Sequence, residues 1–427
     1  MSELNMVEIS CFILVLFNFL TFMYLLLRNK SGVFYTLWVI FVIWFFSFPS
    51  YMQYSYRIFP WANYPKDTEI IFSNLITFIF SVFLFAGYII SYKKINNHNL
   101  QMESRLCISN VANVVTLLLM FPSVIFIAIV GVSSFFMGRS FVGELVYSDG
   151  FLPMLYAASK FGAFGILAVY LVLYIKKPKN QKFGLFSTLM FILAIIINFI
   201  VNNPLSSPRF HFLSMALAIL VIFRKIGGRL SSVALFLASP FLLFIVFPLV
   251  KHLGESSGDY NKYGLSEYLV KGVDFDSFQQ LVNITRFVTD KGYSWGENFV
   301  AGIGFFIPRS IWQTKPTNLG ILAAEHQGYF YTNLSAPLVG EFYYAGDIIG
   351  IIIGALAVGL LTGKTDSVLN NSKLSASYFI GLWISSFSFI IFRGAFGSVA
   401  PMMMLGLCAS LVLYISIIKT NRTPNLN

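Results

Sequence analysis

The stretch "MVEISCFILVLFNFLTFMYLLL", residues 6–27, carries a single charged side chain, Glu8. A helix of about 20 apolar residues crosses the roughly 30 Å hydrocarbon core of a bilayer. Backbone groups there must pair among themselves, which selects helix. No basic residue precedes the run and no small-x-small pattern follows it, so it reads as a retained span rather than a signal peptide.

Similar runs recur along the 427 residues, of which 57% are apolar, 18% aromatic and 11% charged. A water-soluble domain of this length has no core large enough for that balance. Spans are expected near 6–27, 33–48, 69–92, 109–132, 153–175, 184–202, 209–223, 230–250, 345–362, 375–392 and 400–418. The expected fold class is an all-α polytopic integral membrane protein of eleven transmembrane helices. Its divisions are an N-terminal bundle over 1–250, a large outer connection over 251–344 holding short helices, and C-terminal helices over 345–427.

The formal charge of +11 marks topology rather than a nucleic-acid footprint, because the cations cluster in alternate connections. They are Arg28 and Lys30; Lys93, Lys94 and Arg105; Lys176, Lys177, Lys179 and Lys182; Arg224, Lys225 and Arg229; Lys364 and Lys373; Lys419 and Arg422. The positive-inside rule makes these loops cytoplasmic, so the N-terminus and the 251–344 connection lie outside and the C-terminus inside. Cys11, Cys107 and Cys408 show no metal-ligand spacing.

Other cations fall near the outer ends of spans: Lys160, Arg209, Arg309, Lys315 and Arg393, with Arg139 and Arg286 in outer loops. An ionisable group at membrane depth needs a partner or a wet cavity, which makes each a candidate site residue; snorkelling to the headgroups is the alternative. A cavity of arginines suits phosphate or pyrophosphate, because guanidinium stays charged and offers forked donors. In "GIGFFIPRSIWQTKP", residues 302–316, Pro308 and Pro316 break helix and Gly302 and Gly304 permit turns. A rigid non-helical segment is expected, held at the interface by Trp312 and presenting Arg309 and Lys315. Glu341, near the start of "GEFYYAGDIIGIIIG", is a candidate general base with Tyr343 close by, and a salt bridge to one of the arginines is its alternative. His326 and His211 are the other candidate bases. Asp274 and Asp276 in "VDFDSF" have the spacing of a metal-binding pair, but an N-cap is the preferred reading and no metal cofactor is expected.

Together "IPRSIWQTKP", "GEFYYAGDIIGIIIG", "SSPRFHF" and Arg393 resemble the Wzy-type O-antigen polymerases. The most specific part is the pattern Pro-Arg-x-x-Trp-x-x-Lys-Pro, here Pro308, Arg309, Trp312, Lys315 and Pro316. The resemblance implies a GT-C-like helical fold, for which a twelfth span would be unsurprising, in a bacterial inner membrane with the large loop periplasmic. It implies an inverting glycosyltransferase that moves a glycan from undecaprenyl pyrophosphate onto a carrier-linked repeat unit, with a chain-length regulator as a partner. Arg209, Arg286, Arg309, Lys315 and Arg393 would then grip the pyrophosphate, with Glu341 or His326 as the base. An O-antigen ligase using the same donor, and a flippase of the same pathway, are the competing readings.

Overall fold

Residues 33–56 wind into the helix around which the bundle is built, and 89% of its most apolar window is buried by other helices. Its aromatic side chains explain this position. Trp38, Phe41, Phe45 and Phe46 are all nearly inaccessible and meet Phe80, Phe389, Phe392 and Phe278 from other helices edge-on or tilted. The indole N–H of Trp38, which cannot stay unpaired in such a core, donates to Asn18 Oδ1 at 3.1 Å.

The computed structural model describes residues 5–93, 108–137, 142, 151–176, 183–223, 228–246, 265–371 and 374–422, and all regular structure among them is helical. Lys94, Arg105, Cys107, Arg139, Lys177, Lys179, Lys182, Arg224, Lys225, Lys373 and the 251–264 part of the long connection lie outside the described residues. Among the described residues, nine helices are long and apolar enough to cross a membrane. They are Met6–Leu27, Val33–Tyr56, Asp67–Ser91, Asn110–Val130, Leu152–Lys176, Arg229–Val246, Leu338–Asn370, Ala376–Arg393 and Phe396–Ile417. Two shorter apolar helices are Leu185–Val201 and Arg209–Ile222.

Each expected span falls on one of these helices, and two of them run well past the expected ends. The Val33–Tyr56 helix continues beyond residue 48 because its polar last turns have partners: Gln53 Nε2 donates to Leu269 O at 3.2 Å and Phe275 O at 3.0 Å. The last long connection ends early, so Leu338–Asn370 begins before residue 345 and takes Glu341 into its first turn. This helix is broken at Gly346 and Asp347, where Asp347 has φ 58° and ψ −150°, a conformation that costs a non-glycine residue of order 1–3 kcal/mol.

The two halves of the chain are joined where Asp67–Ser91 packs on Leu338–Asn370. A Cβ at Gly87 would fall on the Leu356 carbonyl oxygen, and one at Gly359 on that of Leu84. Small residues at such a crossing let two backbones touch. Gly359→Ala is therefore expected to lower stability by about 1–3 kcal/mol through overpacking that no rotamer change relieves, read as a lower midpoint of thermal unfolding in detergent. Unchanged melting would show that the contact is slack.

Among the described residues the long connection forms four α-helices, Leu265–Lys271, Ser277–Lys291, Glu297–Ile303 and Leu319–His326, and a 3-10 turn at Val273–Phe275, where the sequence suggests one or two helices lying on the outer face. Ser277–Lys291 does not lie on a face. Its polar residues Gln279, Gln280 and Asn283 are as inaccessible as its Leu281, because the ends of the long helices close around it. Gln279 satisfies its amide by accepting from Trp61 N at 2.9 Å and donating to Trp61 O at 2.8 Å. Residues 304–318 carry no helix, as their prolines and glycines require.

Candidate functional site

Several helix ends meet the long connection around a cavity of about 750 Å³. The starts of Leu152–Lys176, Arg209–Ile222 and Phe396–Ile417 and the end of Ala376–Arg393 contribute to it, together with residues from 273–276 and 330–335. The helix Leu152–Lys176 starts at this end of the bundle and ends on Lys176, at the other. Arg209 and Arg393 both line the cavity, as do His211, Asp274 and Asp276.

Each arginine is held by its own carboxylate. Arg209 donates from NH2 to Asp274 Oδ1 at 2.9 Å, and Asp274 Oδ2 accepts from Tyr268 OH at 2.8 Å. Arg393 donates from NH2 to Asp276 Oδ1 at 3.1 Å and from Nε to the Asp274 carbonyl at 3.2 Å, and stacks 4.7 Å over the Phe210 ring. Asp276 also accepts from Ser335 Oγ at 2.6 Å and Trp61 Nε1 at 3.3 Å. Burial pushes the Asp276 carboxyl above the ordinary aspartate range, against the pull of Arg393. Burial, with Asp274 beside it, likewise pushes the Tyr268 phenol up.

The preferred sequence reading of the two aspartates is thereby corrected. Asp276 does stand at the N-cap position of Ser277–Lys291, but its side chain makes no capping bond, because both oxygens are committed to Arg393, Ser335 and Trp61. Asp274 is committed to Arg209 and Tyr268. Among the described residues no group of three or more His, Cys, Asp or Glu side chains is placed to hold a metal ion.

The lining includes apolar side chains, Met154, Ile390, Met402, Leu405 and Phe305 among them. It also includes aromatic ones: Trp61 and Tyr331 lie parallel at an interplanar angle of 4°, with centroids 6.3 Å apart, and Phe330 is 96% exposed beside Trp61. Trp61 and the Tyr329–Tyr331 run carry no motif in the sequence, and the indole hydrogen bond to Asp276 links them to Arg393.

The other candidates fall elsewhere. Arg286 forms a two-pronged pair with Glu69, at 2.8 and 2.7 Å, in a different cleft. His326 lines that cleft too and shares a 2.9 Å hydrogen bond with Asp290. Arg309 is exposed and donates to the Lys315 carbonyl at 2.7 Å, while Lys315 Nζ donates to the carbonyls of Gly304, Phe305 and Ile307 at 3.0–3.1 Å. That lysine closes the 304–316 segment on itself, with Trp312 set against Gly304. Burial and the neighbouring Arg309 lower its pKa.

Glu341 is buried, accepting from Asn298 Nδ2 at 2.6 Å and from the Phe396 backbone N–H at 2.9 Å, and it does not line the arginine cavity. It ties the start of its helix to the start of Phe396–Ile417. Tyr343 packs against Phe72 and Tyr293. Lys160 is fully buried in a π-helical turn, donates to Ser207 Oγ at 2.7 Å and sits 4.8 Å from the Tyr156 ring centre. No protein-family model, curated protein or solved structure matches this chain.

Proposed function

We propose that this chain is a lipid-carrier-dependent oligosaccharide polymerase of eleven spans with a GT-C-like arrangement, its arginine cavity facing the periplasm of a bacterial inner membrane. The observation that carries the reading is the meeting of Arg209 and Arg393, 184 positions apart in the chain, in one cavity that apolar and aromatic side chains also line. A diphosphate-linked glycan on a prenol has parts to match all three. Its tail suits Met154, Met402 and Leu405, its diphosphate the arginines, and its sugars the faces of Trp61 and Tyr331.

The acceptor hydroxyl oxygen attacks the anomeric carbon, the bond to the pyrophosphate oxygen breaks, and the electron pair leaves with the carrier. Charge gathers on the diphosphate during this displacement, where fixed guanidinium groups stabilise it. Arg393 spends Nε and NH2 on its protein partners, which leaves its NH1 donors for the ligand. Of the three candidate bases, His211 lines the cavity and would receive the hydroxyl proton, whereas Glu341 and His326 do not line it.

The test is product analysis after deletion of the gene in its source cells. Single repeat units on the final acceptor lipid, with long chains lost, support the polymerase. Full-length chains stranded on the carrier would make it the ligase, and repeat units trapped on the cytoplasmic leaflet would make it the flippase.

A further inference from the structure

The cleft that holds Arg286 is a second concavity, about 580 Å³ in volume, lined by Asn63, Tyr64, Glu69, Asp290 and His326 among others. That volume is within the roughly 300–1,000 Å³ range of small-ligand sites. Its lysine, arginine and carboxylate side chains balance: Lys66 and Arg286 against Glu69 and Asp290, two of each sign. Such a cleft has no excess of positive charge to attract a diphosphate.

What it offers is a wall of polar groups that hold one another in place, with lone pairs of the carboxylate and amide oxygens open to further donors. Arg286 is fixed by both Glu69 oxygens and by the carbonyls of Asn63, at 2.8 Å, and Tyr64, at 3.2 Å. Gln327, also lining the cleft, accepts from Asn63 Nδ2 at 3.3 Å. Groups of this kind pair with hydroxyls, which donate and accept at one atom. Tyr64, half exposed, supplies a flat apolar face.

The cleft and the arginine cavity are neighbours, with two short chain segments running between them. Trp61 lines the cavity and Asn63 the cleft; on the other segment Gln327 lines the cleft and Phe330 the cavity. Two or three residues reach at most about 7–11 Å. Both segments are pinned between the two concavities, since Tyr329 OH donates to Ala62 O at 2.7 Å and the Trp61 and Tyr329 rings stack 5.4 Å apart.

We propose that this second cleft binds an uncharged, hydroxyl-rich oligosaccharide: the glycan of the same lipid whose diphosphate the arginine cavity takes. The proposal rests on the function proposed above, and the aromatic ridge of Trp61, Tyr329 and Tyr331 is the track between the two sites.

The test uses the full chain in lipid nanodiscs. The probe is the oligosaccharide released by mild acid from the carrier lipid of the source cells, without its diphosphate, followed by saturation-transfer NMR. Thr289 lines the cleft on an exposed position, and its hydroxyl bonds only back to Thr285 O at 2.9 Å. Thr289→Trp fills the cleft and removes no member of either ion pair. It should weaken glycan binding about ten-fold or more while binding of inorganic pyrophosphate stays as in the wild type. Glycan binding unchanged in Thr289→Trp overturns the proposal. Glycan binding lost in Thr289→Trp, in a protein whose pyrophosphate binding does not depend on Arg209 and Arg393, keeps the cleft assignment and removes the diphosphate reading instead.

Discussion

Arg393→Ala is expected to lower polymer formation by about 10²–10³-fold, the loss that follows removal of one preorganised donor to a developing negative charge. The variant does a second thing. Asp276 is 1% exposed, and deleting one partner of a buried pair costs about 3–5 kcal/mol because the other charge is left uncompensated. The two effects separate in the double variant Arg393→Ala/Asp276→Asn, which removes the buried charge. Its melting should return toward that of the wild type while its activity stays low. Recovery of polymer formation in the double variant would mean that Arg393 serves only as a counterion.

Acid gives an independent reading of the same pair. Burial already raises the Asp276 pKa and Arg393 opposes that rise, so removing the arginine raises it further. A carboxyl whose folded pKa exceeds its unfolded value holds its proton more tightly when folded. Its stabilisation is then present at low pH and lost as the pH climbs through the folded value. Arg393→Ala should accordingly be least destabilised in mild acid, and the double variant should lack that dependence.

The helices were legible because each carries its own signal: a long apolar run in a chain with few charges admits one solution in a bilayer. The site was legible in part. Arg209 and Arg393 stand out as cations at span ends, and the structure brings them into one cavity; Arg309 and Lys315 stand out for the same reason, and Arg286 as a cation in an outer loop, and these serve other contacts. Position along a span marks a costly charge but does not say what neutralises it. For Lys315 the answer was three carbonyls of its own loop, for Arg286 a glutamate 217 residues away. Asp274 and Asp276 were seen and given the local role, an N-cap, because the pairing to Arg209 and Arg393 is long-range and leaves no spacing in the sequence. Trp61, Tyr329 and Tyr331 carry no sequence signal for a related reason: aromatic residues near a membrane surface are common, and stacking is set by the fold.

Asp366→Ala is expected to destabilise the bundle by about 3–5 kcal/mol, with the activity that survives following the folded fraction. The Val33–Tyr56 helix starts after Gly32, which has no side chain to cap it. The missing acceptor comes from far along the chain. Asp366 Oδ1 accepts from the Phe34 backbone N–H at 3.3 Å and from Ser385 Oγ at 3.3 Å, and Oδ2 accepts from Tyr88 OH at 3.0 Å. The carboxylate thus does the work of an N-cap and places negative charge at the helix N-terminus, where the dipole favours it. Removing it leaves buried donors without an acceptor, at about 1–3 kcal/mol each. Asp366→Asn, which retains one acceptor oxygen, should lose less. Gly32 is bound to the same requirement, because a Cβ there would fall on the Asp366 carboxylate. Gly32→Ala should therefore be destabilising in the presence of Asp366, and in an Asp366→Ala background much of that loss should vanish. Tryptophan fluorescence during SDS-induced unfolding in mixed micelles measures the cycle. Strict additivity of the two substitutions, or wild-type stability in Asp366→Ala, would show that the start of the central helix is held by something other than this carboxylate.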